Sequence, residues 1–140
     1  MIIDLKKLFD YKDSKGNVMD LWATQMSMQK KDRGRLDVKI ALLERTEDNL
    51  LPKLLHRAPR CRHIMHLVVN GKVALRPMLC SGPFDHQKEF TFLFGATERD
   101  RKLVPRDAPE RAEENRNDLI LHPENRCEHE RFNKGTQTNI

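Results

Sequence analysis

Residues 61–100 read CRHIMHLVVNGKVALRPMLCSGPFDHQKEFTFLFGATERD, and no other part of the chain holds three apolar runs. Residues 63–69 are rich in branched apolar side chains. Asn70-Gly71 follows at once, and residues 72–80 form a return run. An Asn-Gly pair between apolar runs predicts a two-residue hairpin turn flanked by Val69 and Lys72, because both turn positions need positive φ. A loop with Ser81, Gly82, Pro83, Phe84 and Asp85 comes next. Residues 89–94 then alternate Phe90, Phe92 and Phe94 against Thr91 and Leu93. Together the runs predict a three-stranded antiparallel meander, with residues 90–94 paired to 73–80. The alternation puts the three phenylalanines on one face. Core is the simple use of that face, and base stacking is the other.

Working outward to the N-terminus, Ile2, Ile3, Leu5, Leu8 and Phe9 fit a first strand or a short helix, and periodicity does not decide between them. Residues 12–17 are a polar turn. From Val18 to Arg45 the pattern is helical: Leu36, Ile40 and Leu43 are spaced by four and three and share a face, as do Trp22 and Met26. Gly34 costs about 1 kcal/mol in a helix interior, which predicts two short helices or one weakened around residues 28–34. The basic run Lys30, Lys31, Arg33 and Arg35 reads as a solvated face. Pro52 and Pro59 interrupt the path to the sheet. Beyond the sheet, Asp107 is placed to cap a charged helix over residues 108–121, with Pro109 and Glu110 in its first turn. Residues 123–140 are polar and aperiodic, and much of that stretch is expected to be mobile. The expected organisation is one domain over 1–121 and a polar C-terminal tail over 122–140.

Composition sets outer limits. The 140 residues are 38% hydrophobic, enough for one modest core, and 34% charged. A net charge of +5 favours acidic or phosphate-bearing partners. No apolar run is long enough for a transmembrane helix, and MIIDLKKLFDYKD lacks a signal-peptide core. Three cysteines without a secretory signal point to reduced thiols in a cytoplasmic compartment. No Walker loop, GxGxxG or GxSxG is present, so nucleotide hydrolysis and serine-hydrolase chemistry have no support. Cys61-x-His63 and Cys127-x-His129 are the right residue types for a tetrahedral zinc site. Their spacing is unlike the usual CxxC knuckle, and no metal or other cofactor is expected.

Trp22, the Arg35-Leu36…Ile40…Leu43 helix, the Leu75-Arg76 strand, EFTFLFGATERDRKLVP over residues 89–105 and the charged helix DAPERAEENR occur in a telling order. In that order the chain resembles the RelE/ParE superfamily of bacterial toxins, and within it the HigB-like, phage-derived branch. The likeness covers roughly residues 18–121. It implies an α+β, RelE-like fold, with N-terminal helices packed on a small antiparallel sheet and a C-terminal charged helix and polar tail. It also implies a toxin of a type II toxin-antitoxin system: a ribosome-dependent endoribonuclease that cleaves mRNA through the 2′-hydroxyl without metal. Its partners would be RNA, the ribosome and a cognate antitoxin.

Such chemistry needs cations on the scissile phosphate and groups that move protons. The resemblance places Arg76 on the middle meander strand and Arg99 after the last strand as phosphate-binding cations. Arg101 and Lys102 extend an RNA-contacting rim. His86, in a polar loop beside Asp85, is a candidate proton-transfer group. By alternation His63 and His66 point to opposite faces, and each reads as a half-buried, hydrogen-bonded histidine before a general base. The chain departs from the family at His66-Leu67-Val68, where many members have Glu-Leu-Arg, and at Glu98-Arg99, where paired basic residues are usual. Those departures open a second reading: a toxin-fold protein without catalysis, for example phage-encoded, that binds or inhibits a host protein.

Overall fold

The first strand pairs with the longest one, and that pairing decides the architecture. In this computed structural model, which describes residues 5–133, β1 (Lys7–Asp13) lies parallel to β6 (Glu89–Arg99). Leu8 sits opposite Phe90 and Asp10 opposite Phe92. A parallel pair needs a long crossover. Between them run β2 (Gly16–Asn17), α1 (Val18–Gln25), α2 (Lys30–Arg45), a 3-10 helix (Asp48–Lys53), β3 (Leu55–Arg57), β4 (Met65–Leu67) and β5 (Ala74–Ser81). After β6 come β7 (Lys102–Val104), α3 (Ala108–Leu121) and β8 (Arg126–Glu128). The eight strands form one mixed sheet in the order β2-β1-β6-β5-β4-β3, with β7 on β6 and β8 on β1.

Alternation along β5 divides the core in two. Leu75 and Leu79 pack with Met19, Trp22, Leu36, Ile40 and Leu43 of α1 and α2. Met78 and Cys80 pack with Ala108, Ala112 and Leu119 of α3. Helices therefore cover both faces. This overturns the expected α+β, RelE-like arrangement of N-terminal helices on a small antiparallel sheet: the sheet is mixed and eight-stranded, and α3 forms a layer of its own. The physical reason lies in β1 and β8. The first was ambiguous by periodicity, and a three-residue strand such as β8 is too short to show any.

The helical stretch breaks where its apolar spacing changes. Asn17 caps α1, its Oδ1 accepting from the Met19 and Asp20 amides at 2.8 and 3.2 Å. Ser27, at φ 49°, turns the chain into α2. Asp107 precedes α3 as expected, but its carboxylate accepts from Arg111 Nε at 3.0 Å and caps no backbone amide.

The meander departs from expectation in two places. Residues 90–94 do pair antiparallel with β5. The tight Asn70-Gly71 turn does not form: Val69 bridges Leu75, and neither turn residue has positive φ. Asn70 Oδ1 instead accepts a hydrogen bond from Arg76 Nη2 at 3.2 Å. Gly71 lies against Arg35, where a Cβ would come within 2.6 Å of the guanidinium. The positive-φ pair falls at Asp100 (51°) and Arg101 (63°), joining β6 to β7.

The second departure is a bulge in β6. Met78 faces Phe94 but Leu79 faces Phe92, so Leu93 is an extra residue and the alternation inverts after it. Phe90 and Phe92 face α1 and α2, while Phe94 joins the α3 side. The three phenylalanines therefore do not share a face. After the bulge Gly95 lies under Trp22, where a Cβ would sit 1.9 Å from the indole. Gly95→Ala is expected to cost roughly 2–3 kcal/mol, as overpacked cores do. A urea midpoint unchanged from wild type would contradict this packing.

Of the stretch expected to be a mobile tail, residues 126–133 are built into the domain. β8 pairs antiparallel with β1, and Phe132 is buried in the α1/α2 core. The Phe132 and Asn133 amides donate to the Asp37 carboxylate at 2.7 and 3.0 Å. The expectation of little packing after Asn133 concerns residues outside those described. Among the described residues no helix is long and apolar enough to cross a membrane.

Candidate functional site

The bulge that inverts β6 also assembles a polar site. Once Leu93 is looped in, Ala96 and Glu98 face the α3 side with Arg76, their rows set by the Arg76–Ala96 and Ala74–Glu98 pairs. His66 pairs with Met78 and His56 with His66, which puts both histidines on that face as well. Beyond the start of α3 this face opens into a cleft of about 490 Å³, lined by His66, Glu98, Arg60, Arg101, Lys102 and Arg106 among others.

Arg76 lies beneath this cleft. It is 6% exposed, so it is a buried cation and does not itself reach the open cleft. Its Nη1 donates to the Leu75 carbonyl at 2.8 Å, and its Nη2 lies 3.4 Å from Glu98 Oε2. That contact anchors the Glu98 carboxylate, which is still 36% exposed at the cleft wall. His66 is half-buried, and its Nδ1 is buried without a hydrogen-bond partner among the described residues. Burial first, then the positive charge of Arg76, holds the His66 imidazole below its ordinary pKa, with Glu98 opposing. A half-buried, neutral imidazole beside an anchored carboxylate is a proton acceptor. The His56 ring stacks on it with centroids 5.9 Å apart, and His56 is exposed.

The rim is cationic. Arg101 holds a left-handed backbone conformation, φ 63°, which a non-glycine residue adopts at a cost of about 1–2 kcal/mol. Such strain tends to be kept where it places a functional side chain. Lys102 and Arg106 complete the rim. Arg60 is engaged: its Nε and Nη2 donate to Glu110 at 2.6 and 3.1 Å, and Nη2 also donates to the Arg106 carbonyl at 2.7 Å.

Among the residues picked from sequence, Arg76, Arg101 and Lys102 thus come together. Arg99 is exposed and, by alternation after the bulge, lies on the opposite face from Glu98. His86 lies in the loop after the far end of β5, lining a different cavity with Ser81 and Gln87. His56 was missed because three-residue β3 carries no periodic signal. Glu98 read as a departure from a family pattern, because its place depends on an unforeseen bulge. His63 leaves the strand and sets Nδ1 3.2 Å from Glu113 Oε1 on α3.

The cysteines and the zinc pattern are accounted for separately. Burial pushes the Cys80 thiol up to about 12, and burial likewise raises Cys61 and Cys127, so none is an activated thiolate. Cys61 lies near Glu110 and Glu113 of α3, whereas Cys127 is 3.3 Å from Asn17 Nδ2 beside β1. Among the described residues no group of His, Cys, Asp and Glu could hold a metal ion.

Compared with known proteins, the chain matches no family model, no curated protein and no solved structure.

Proposed function

We propose that the chain is a toxin of the toxin-antitoxin kind, acting in the cytoplasm as an endoribonuclease on ribosome-bound mRNA, with RNA, the ribosome and a cognate antitoxin as partners. One observation carries the reading: a neutral histidine, an anchored carboxylate and a cationic rim meet in a single cleft. Transfer within RNA needs a base for the 2′-hydroxyl, a proton for the departing 5′-oxygen and positive charge around the phosphate. His66 takes the 2′-hydroxyl proton, and the 2′-oxygen bonds to phosphorus as the bond to the 5′-oxygen breaks. His56, exposed beside His66, returns a proton to that oxygen. Arg101, Lys102 and Arg106 hold the phosphate. Arg76 acts from below, positioning Glu98 and keeping His66 neutral.

Induced expression in bacteria tests this reading. Wild type should stop growth and degrade mRNA, and the Arg101→Ala, Lys102→Ala double variant should relieve both. Intact growth and intact mRNA with wild type would overturn it. The alternative, a non-catalytic protein that occupies a host protein, is favoured by the exposure of Val38 (69%) and Leu42 (42%), one turn apart on α2. Growth arrest with whole mRNA would select it.

The pH profile is a further check. With its pKa lowered from 6.5, His66 should place the acidic limb of the cleavage profile below 6.5. Arg76→Ala removes one cause of the lowering and should move that limb upward. A limb that stays in place would contradict the role of Arg76. The sign for stability follows from the same shift. The unfolded chain binds the His66 proton more readily, so stability falls as pH drops below about 6.5 and through the lower folded value.

A further inference from the structure

On the other side of the β3–β4 edge lies a second cavity, of about 590 Å³. One wall is apolar, from Leu51 and Pro52 of the 3-10 helix and Met65 of β4; facing it are Arg57, Arg62 and Arg116. The carboxylate that lines it, Asp48, is held by Lys6 at 2.6 Å. Arg57 and Arg62 are exposed, and Arg116 Nε is buried with no hydrogen-bond partner among the described residues. Its size suits a small ligand, and its lining joins an apolar surface to convergent cations. That combination fits a flat, weakly polar ring carrying a phosphate.

The cavity shares no lining residue with the cleft and lies across the β3–β4 pair from it, on the opposite face. Arg57 follows His56 on β3, and Met65 precedes His66 on β4, so neighbouring residues of two short strands face the two sites. β3 is the outermost strand of the main sheet path, which leaves this edge open for a chain to cross. We infer that the second cavity is a nucleotide subsite, holding the base and phosphate of a residue that flanks the one in the cleft. This inference rests on the RNA-directed reading above. It gives His86 a place, as a lining residue of the subsite and not of the catalytic cleft.

The test is a heteronuclear NMR titration of the whole chain with 5′-AMP, with inorganic phosphate, and with an uncleavable 2′-O-methyl hexanucleotide. AMP should move amides of residues 51–57, 62–65 and 86–87, with phosphate alone at least about 10-fold weaker. The Arg57→Ala, Arg62→Ala double variant, whose spectrum checks its fold, should bind AMP at least about 10-fold more weakly, equivalent to 1.4 kcal/mol. Losing the subsite's one phosphate contact should also lower the salt slope of hexanucleotide binding by about 0.7. Hexanucleotide shifts confined to residues 98–106, or a double variant that binds as wild type does, overturn the subsite and leave the RNA reading standing. No hexanucleotide binding anywhere overturns both.

Discussion

His66→Gln is expected to lower RNA cleavage by about 10²–10³, within the range that a positioned general base contributes. Glutamine keeps the approximate volume and polarity of a half-buried site but cannot take a proton near pH 7. The thermal midpoint should therefore move little while the rate collapses. The contrast with Arg99 is the informative part. Arg99 lies on the other face of the sheet from Glu98. Arg99→Ala should leave cleavage of ribosome-bound mRNA within about threefold of wild type, since it is not placed to touch the reacting phosphate. Single-turnover assays of both purified variants on programmed ribosomes would separate them. A His66→Gln protein as active as wild type would remove the proposed base.

The largest effect on stability is expected at Asp10. The side chain is 2% exposed, with Oδ1 2.9 Å from His129 Nδ1 and Oδ2 accepting from Asn17 Nδ2 at 2.9 Å. Asn17 is the residue that caps α1, and His129 lies against Phe92 and Phe132 in the core. One carboxylate thus ties β1 to the start of α1 and to the segment after β8. Asp10→Ala strips a hydrogen-bond partner from the buried His129 ring and the half-buried Asn17 amide and should cost about 2–4 kcal/mol, since each polar group left unsatisfied costs about 1–3 kcal/mol. Exposed Lys7 on the same strand is the control, and Lys7→Ala should stay within about 0.5 kcal/mol. Denaturant midpoints at constant slope would read both. Equal midpoints for Asp10→Ala and wild type would mean that the C-terminal segment is not held as described.

Several elements could be read from sequence because the signal was local. Leu36, Ile40 and Leu43 marked the buried face of α2, and Asp107-Ala108-Pro109 marked the start of α3. Other elements rest on contacts far apart in the chain. Tyr11 donates to Asp118 Oδ2 at 2.6 Å, and Arg126 pairs with buried Glu89 at 2.7 Å while lying over the Phe9 ring. Nothing in the composition of residues 122–133 announces such pairings, which is why that stretch read as a tail. The bulge at Leu93 was equally silent. Apolar alternation through Phe90, Phe92 and Phe94 is what an unbroken strand would show, and only the pairing with β5 reveals the extra residue. The candidate site inherits this difficulty. Arg76, Arg101 and Lys102 were legible as cations near the strand ends, but their meeting with His66 and Glu98 depends on the inverted alternation.

The chemistry of the RNA ends tests the account most directly. Purified protein would be added to translating ribosomes, and the new 3′ ends of the message analysed for wild type and for His66→Gln. Attack by the 2′-oxygen leaves a 2′,3′-cyclic phosphate and a 5′-hydroxyl, and the account predicts those ends with wild type and their near-absence with the variant. Intact message, 3′-hydroxyl ends, or equal cleavage by both proteins would contradict it.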